Sequence, residues 1–366
     1  MLTPRDRFIR TLIGQDVDRV PFMPIFGGGG AVLPHWKKQY PGIEKYIDEL
    51  LGFEGAGRGW AVPPINMRLA GTGEPITEFE DAQEAIIRTG DGTVTRVSKA
   101  DGEFDYHIME YPVKAPNDWD RIKSLYLDPH EKSRIPQNWP HYIEMYRNRD
   151  YPVQLTCAGV YGFLRLMMGD EALCYAFYDE PEMLLDITQT YIDMCIAVWE
   201  VLCRDVQFDI IECWEDMASK NGSIISPACF RQFLAPQYRK IRAFAEAHGI
   251  PILAVDSDGN INELAHEFAG CGVNVLYPFE AGAGCDPLAT LRALPGLGAI
   301  GCLEKNCFVY GEDAIEREME KARALIRQGR CIPGPDHGVI GNVSFESYKL
   351  FFNRLREVVF TTKPGT

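Results

Sequence analysis

The stretch Ile252–Asn260, ILAVDSDGN, runs apolar for four residues, sets Asp256 and Asp258 on either side of Ser257, and turns at Gly259. A short apolar run bounded by turn residues reads as a buried strand. A strand that leaves the core into two carboxylates needs something to offset their repulsion: a cation, a shared proton or several backbone N–H donors.

The same pattern recurs on both sides of this stretch. YPVQLTCAG (Tyr151–Gly159), FDIIECWED (Phe208–Asp216), GVNVLYPFE (Gly272–Glu280), GLGAIGCLEK (Gly296–Lys305) and CIPGPDHG (Cys331–Gly338) are apolar runs that end in polar residues, with amphipathic helical stretches between them. Strand, loop and helix repeated in this way give parallel strands with helical crossovers. With VPFMP (Val20–Pro24) as a further strand the count approaches that of a closed (β/α)8 TIM barrel, an α/β fold whose sites form at the C-terminal ends of the strands. Those ends carry Glu212, Glu215 and Asp216, then Asp256 and Asp258, Glu280, Glu304 with Lys305, and Asp336 with His337. The alternative is an open dinucleotide-binding sheet. It needs a G-x-G-x-x-G turn opening a helix, which FGGGGAV (Phe26–Val32) does not supply.

An N-terminal extension of helical spacing, RDRFIRTLIGQ, precedes the first strand. Between about 78 and 113 the chain alternates around Asp-Gly turns, as in IIRTGDGTVTRV and FDYHIMEYPV, and reads as a small β-hairpin insertion. No Ser/Gly/Pro linker divides the sequence, so residues 1–366 are expected to form a single domain.

The 366 residues are 46% hydrophobic and 24% charged, enough for a large core, and the formal charge of −15 disfavours nucleic acid or an anionic membrane as partner. The charged start MLTPRDRFIRTLIGQ and the lack of a long apolar run point to a cytoplasmic location. Eleven cysteines scattered through apolar segments read as reduced thiols.

A metal ion relieves crowded carboxylates at once. Asp256, Asp258, Glu280 from the next strand and His337 from the last make an O/O/O/N set suited to zinc. Asp-x-Asp-Gly is also an ordinary turn whose side chains cap nearby amides. Glu215 is the candidate general acid or further ligand, beside Asp256 and His337 as catalytic candidates. Glu304 and Lys305 are expected to pair with each other, and His35 and His107 read as structural. Trp60, Trp214, Tyr161, Phe163 and Tyr277 are expected beside the mouth, where they suit an aryl methyl ether or a methylated ammonium. Met167 and Met168 read as helix packing.

Five ordered segments, GVYGFLRLMMGDEALCYAFYDEPEMLLDI, SPACFRQFLAPQYRKI, PILAVDSDGNINEL, GVNVLYPFE and GPDHGVIGNVSFESY, resemble the uroporphyrinogen decarboxylase superfamily over most of the chain. The resemblance implies one (β/α)8 barrel. Its decarboxylases carry an Arg-Gln-Ala-Gly-Arg type segment after the first strand; here MPIFGGGGAVLPHWKKQYP (Met23–Pro41) has no arginine to hold porphyrinogen carboxylates. The other branch, corrinoid-dependent methyltransferases, holds zinc with a His-x-Cys-Gly turn and a later Cys. Counted from Gly259 those positions fall on Asp256, Asp258 and His337, so oxygen and nitrogen donors replace the thiolates.

The resemblance therefore implies a methyltransferase that moves a methyl group from a small O-methyl substrate to cobalamin carried by a corrinoid partner protein. The runner-up is a decarboxylase of a smaller acid. A third reading is a barrel that binds a ligand without catalysis, and a homodimer is compatible with each.

Overall fold

Six of the apolar runs form one parallel sheet. In the computed structural model, which describes residues 2–26, 32–45, 47–55, 59–99, 106–339, 341 and 343–365, an antiparallel sheet comes first in the chain. Its strands β1 (Ile76–Glu80), β2 (Glu84–Arg88), β3 (Val94–Ser98) and β4 (Tyr106–Glu110) pair in sequence order, as hairpins do. This is the insertion expected from the Asp-Gly turns. Its Asp91 carboxylate accepts from Thr93 N at 2.8 Å, the Asx bond that closes the β2–β3 turn.

The parallel strands are β5 (Gln154–Cys157), β6 (Ile210–Trp214), β9 (Ile252–Asp256), β10 (Val275–Tyr277), β11 (Gly298–Leu303) and β12 (Cys331–Pro335), side by side in that order. A two-residue hairpin, β7 (Ala218–Ser219) with β8 (Gly222–Ser223), follows β6. Register sets Trp214 beside Asp256 and Asp256 beside Tyr277, so the strand ends lie level.

Both faces of this sheet are buried, which is why its strands show no polar alternation. Ile211, Leu253 and Val255 pack outward against the helices. Ile210, Ile252, Ala254, Val275, Tyr277, Ile300 and Ile332 turn the other way into a second cluster, with Phe8 and Leu12 from the N-terminal helix Pro4–Leu12. Thr3 caps that helix by accepting from Asp6 N at 3.0 Å.

The sheet has six strands, and the segment Val20–Pro24, expected as another, is extended chain outside the ladder. Pro21 and Pro24 have no N–H to donate, and Phe22 N donates instead to Glu54 Oε2 at 3.0 Å. A single parallel bridge, Ala61 with Val153, continues the sheet beyond β5. At the other edge Ile25 packs so closely on Gly334 that a Cβ there would lie 2.6 Å from Ile25 Cδ1. Gly27–Gly30, the tetraglycine, lie outside the described residues. Among the described residues no helix is long and apolar enough to cross a membrane, and the eleven cysteines are free.

Candidate functional site

The end of β6 turns sharply. Asp216 has φ +44°, a left-handed conformation that Asp tolerates better than most residues, and its side chain comes to lie beside the turn that follows β9. There the backbone reverses at Gly259 with φ +82°, where a Cβ would sit 2.5 Å from the Ala218 carbonyl oxygen of the β7–β8 hairpin. Only glycine fits.

These two turns bring three carboxylates together. Asp216, Asp256 and Asp258 each offer an oxygen, and the three oxygens lie within 4.8 Å of one another. His337 Nε2 stands 3.4 Å from Asp258 Oδ2, and its ring stacks on Phe26 at 5.7 Å between centroids. Contact with Asp258 raises the His337 pKa. Burial, then the charge of Asp258, raises that of Asp216. Arg165 answers part of this charge, donating to Asp216 Oδ2 at 3.2 Å and to its carbonyl at 3.1 Å while lying over the Trp214 ring at 4.7 Å.

Three strand-end acids are held differently. Glu215 is fully buried; its oxygens accept from Val160 N (2.7 Å), Gly162 N (2.8 Å) and the Tyr238 hydroxyl. The two amides open the helix Tyr161–Met168, an arrangement that favours an anion. Burial still lifts its pKa to about 7. Asp336 accepts from Lys305 N (2.9 Å) and Ala281 N (2.8 Å), and burial lifts its pKa to about 6. Glu280 accepts from Gly259 N (2.8 Å) and from Lys305 Nζ (3.1 Å).

Of the expected ligand set, the structure brings Asp256 and Asp258 together and sets His337 against Asp258. Glu280 lies outside the three-carboxylate group and is ion-paired with Lys305, and the third carboxylate of the group is Asp216. Glu304 does not pair with Lys305; its Oε1 accepts from Asn306 instead. Glu215 has its oxygens engaged by protein donors, which suits a strut for the β6 turn better than a proton donor to substrate. Trp60, Tyr161, Phe163 and Tyr277 are buried core residues, and of the five aromatics only Trp214 is partly open to solvent.

Among the described residues, two hollows lie over the strand ends. One of about 240 Å³ lies over β10–β12 and is lined by Glu280, Glu304, Lys305, Lys220 and Asp336. The other, of about 280 Å³, lies over β5 and β6 and is lined by Asn66, Arg68, Thr156, Cys157 and Trp214 among others. The second was not apparent from sequence, because Asn66 and Arg68 belong to an irregular segment with no motif.

Among solved structures the chain has whole-length likeness of fold to a methyltransferase. A methyltransferase from Methanosarcina mazei superposes with a TM-score of 0.62 at 15% identity, covering 98% of this chain and 99% of that one, which is a likeness of fold. A candidate vitamin-B12-independent methionine synthase from Listeria monocytogenes reaches a TM-score of 0.33 at 14% identity over 60% of this chain and 67% of its own. No protein-family model and no curated protein matches the sequence.

Proposed function

We propose that the chain is a methyltransferase that takes a methyl group from the oxygen of a small O-methyl substrate and delivers it to the cobalt of a corrinoid carried by a partner protein. The observation that carries this reading is the grouping of Asp216, Asp256 and Asp258 with His337 beside them at the strand ends. The whole-chain fold likeness to the Methanosarcina mazei methyltransferase supports it. So does the resemblance to the corrinoid-dependent branch of the uroporphyrinogen decarboxylase superfamily, whose (β/α)8 closure we infer here through Ile25 on Gly334 and Ala61 on Val153.

The residues fit a divalent ion such as zinc. Two ligands at about 2.1 Å in a tetrahedral arrangement sit about 3.4 Å apart, which is the spacing from His337 Nε2 to Asp258 Oδ2. Asp216, Asp256 and Asp258 would hold the ion, with His337 beside Asp258 as a further ligand, and when bound it would supply a Lewis acid for an ether oxygen, which otherwise leaves poorly. The chain's own residues do the rest. Arg165 fixes Asp216 by two hydrogen bonds and orders Trp214 beneath it. Glu215 anchors the turn that carries Asp216, and Lys305 holds Glu280 on Gly259 N, which keeps the 256–259 turn in place. Methyl transfer breaks the C–O bond, leaves its electron pair on oxygen, and forms a carbon–cobalt bond on the partner.

The test is methyl-corrinoid formation, followed by its absorption change, when the purified protein, a reduced corrinoid protein and an aryl methyl ether are mixed. Methylation that depends on this protein and on zinc supports the reading. Release of carbon dioxide from an acid without methyl transfer would replace it with the decarboxylase.

A further inference from the structure

The hollow over β5 and β6 is lined by a cation, Arg68, that no carboxylate among the described residues pairs with. Arg68 is exposed, and among the described residues its guanidinium meets no carboxylate; it lies 6.0 Å from the ring of Trp214. Two neighbouring arginines are engaged: Arg165 is bound to Asp216, and Arg134 is buried.

The segment that carries Arg68 is held with unusual thoroughness for an irregular stretch. Arg134, 1% exposed, donates to the carbonyl oxygens of Asn66 (3.0 Å), Arg68 (2.8 Å), Tyr126 (2.9 Å) and Asp128 (2.7 Å). Tyr191 OH donates to Met67 O at 3.0 Å and accepts from Ala158 N at 2.8 Å, which ties the segment to the end of β5. Two buried side chains thus fix the backbone on both sides of Arg68 relative to the strand ends. A surface arginine needs no such support, whereas a cation that must meet a ligand group in one place does.

We propose that this hollow binds the anionic end of the substrate, a planar carboxylate joined to an aromatic ring. The proposal rests on the methyl-transfer reading for the word substrate and on the geometry above for the site. A guanidinium fork matches a carboxylate in two parallel hydrogen bonds, and the partly exposed Trp214, which lines the hollow beside Arg68, offers indole surface to an aromatic ligand. Trp214 pairs with Asp256 in the sheet and is two residues from Asp216, so the hollow borders the strand ends that carry the three carboxylates. An acid bound the other way round would put its charge against them. Arg68 is then a specificity-determining residue that sets the orientation in which an O-methyl group is presented.

The experiment is isothermal titration of the full chain, with neither corrinoid nor added metal, using 4-methoxybenzoate and its neutral isostere 4-methoxybenzamide. The expected result is saturable binding of the acid about 10- to 100-fold tighter than the amide, the range for a hydrogen bond to a charged group. R68Q should erase that preference with an unchanged circular dichroism spectrum, and R68K should restore part of it. Equal affinity for acid and amide in the wild type, a preference that survives in R68Q, or no saturable binding of either at millimolar concentration overturns the proposal. If the acid preference and its loss in R68Q are found but no methyl group reaches a reduced corrinoid, the anion site stands and the methyl-transfer reading falls.

Discussion

Glu215 and Asp216 are neighbours in the chain and differ in almost everything else. Glu215 turns into the protein, where two amides and a tyrosine hydroxyl surround its oxygens. Asp216 turns out, facing two further carboxylates with one arginine at its side. The same contrast repeats along the rim, with Asp336 and Glu280 bonded to backbone N–H groups while Asp256 and Asp258 close on Asp216. Acids at strand ends therefore fall into two kinds, those that brace turns and those that gather into a site. What separates them is how the charge is met: Glu215 and Asp336 each accept from two backbone N–H groups and Glu280 from one and from the Lys305 ammonium, whereas Asp216 accepts from Asp258 N at 3.3 Å and otherwise meets two carboxylates and Arg165.

The contrast predicts opposite phenotypes. The largest effect is expected for D258N, which takes a charged oxygen from the gathered set. Methyl-corrinoid formation should fall by more than the roughly 100-fold typical of losing a group that only orients a ligand, while the thermal midpoint stays near that of the wild type. Loss of fold in D258N, seen by circular dichroism, would move Asp258 into the bracing class.

Next comes E215A, which leaves two buried amides and the Tyr238 hydroxyl without an acceptor. Urea unfolding should show a loss of about 3 kcal/mol or more, with zinc affinity of the folded protein falling less than in D258N. A stable E215A without activity would instead return Glu215 to the chemistry.

A pH series sharpens the same point. The Glu215 pKa is about 7 in the fold against an ordinary 4.5, so between these values the folded chain holds a proton that the unfolded chain has lost. Its contribution to stability is fully present below about 4.5 and is lost as pH rises through about 7. The change is worth about 3 kcal/mol. The difference in unfolding free energy between wild type and E215Q should shift by about that amount across this window; a flat difference contradicts the burial argument.

The smallest effect is expected at Lys305. K305M breaks a partly exposed ion pair with Glu280, which typically contributes about 0–1 kcal/mol, and zinc affinity should change by less than about threefold. A large loss of affinity in K305M would restore Glu280 to the ligand set.

How much of this was legible in the sequence follows from which interactions are local. The six parallel strands are continuous apolar runs, and the insertion announces itself by Asp-Gly turns, found at 76–110 where about 78–113 was expected. Val20–Pro24 has the apolar character of a strand, but its prolines withhold the ladder, so among the described residues the parallel sheet has six strands where a count near eight was expected. Asp256 and Asp258 were readable because two residues place them at one turn. Glu280 stands apart from the three-carboxylate group, paired with Lys305 from another strand end, and Asp216 joins that group through a left-handed turn that no local pattern announces. The bracing of Arg68 by Arg134 and Tyr191 spans about 70 and 120 residues and leaves no local pattern.

The central claim is that the outward acids, and not the bracing ones, hold a divalent ion. Isothermal titration of zinc into metal-free wild type, D216N and E280Q tests it most directly, because Asn keeps the left-handed turn at 216 while removing the charge. The account predicts one site per chain in the wild type, retained in E280Q and lost in D216N. Zinc bound equally well by D216N, or lost only in E280Q, would contradict it.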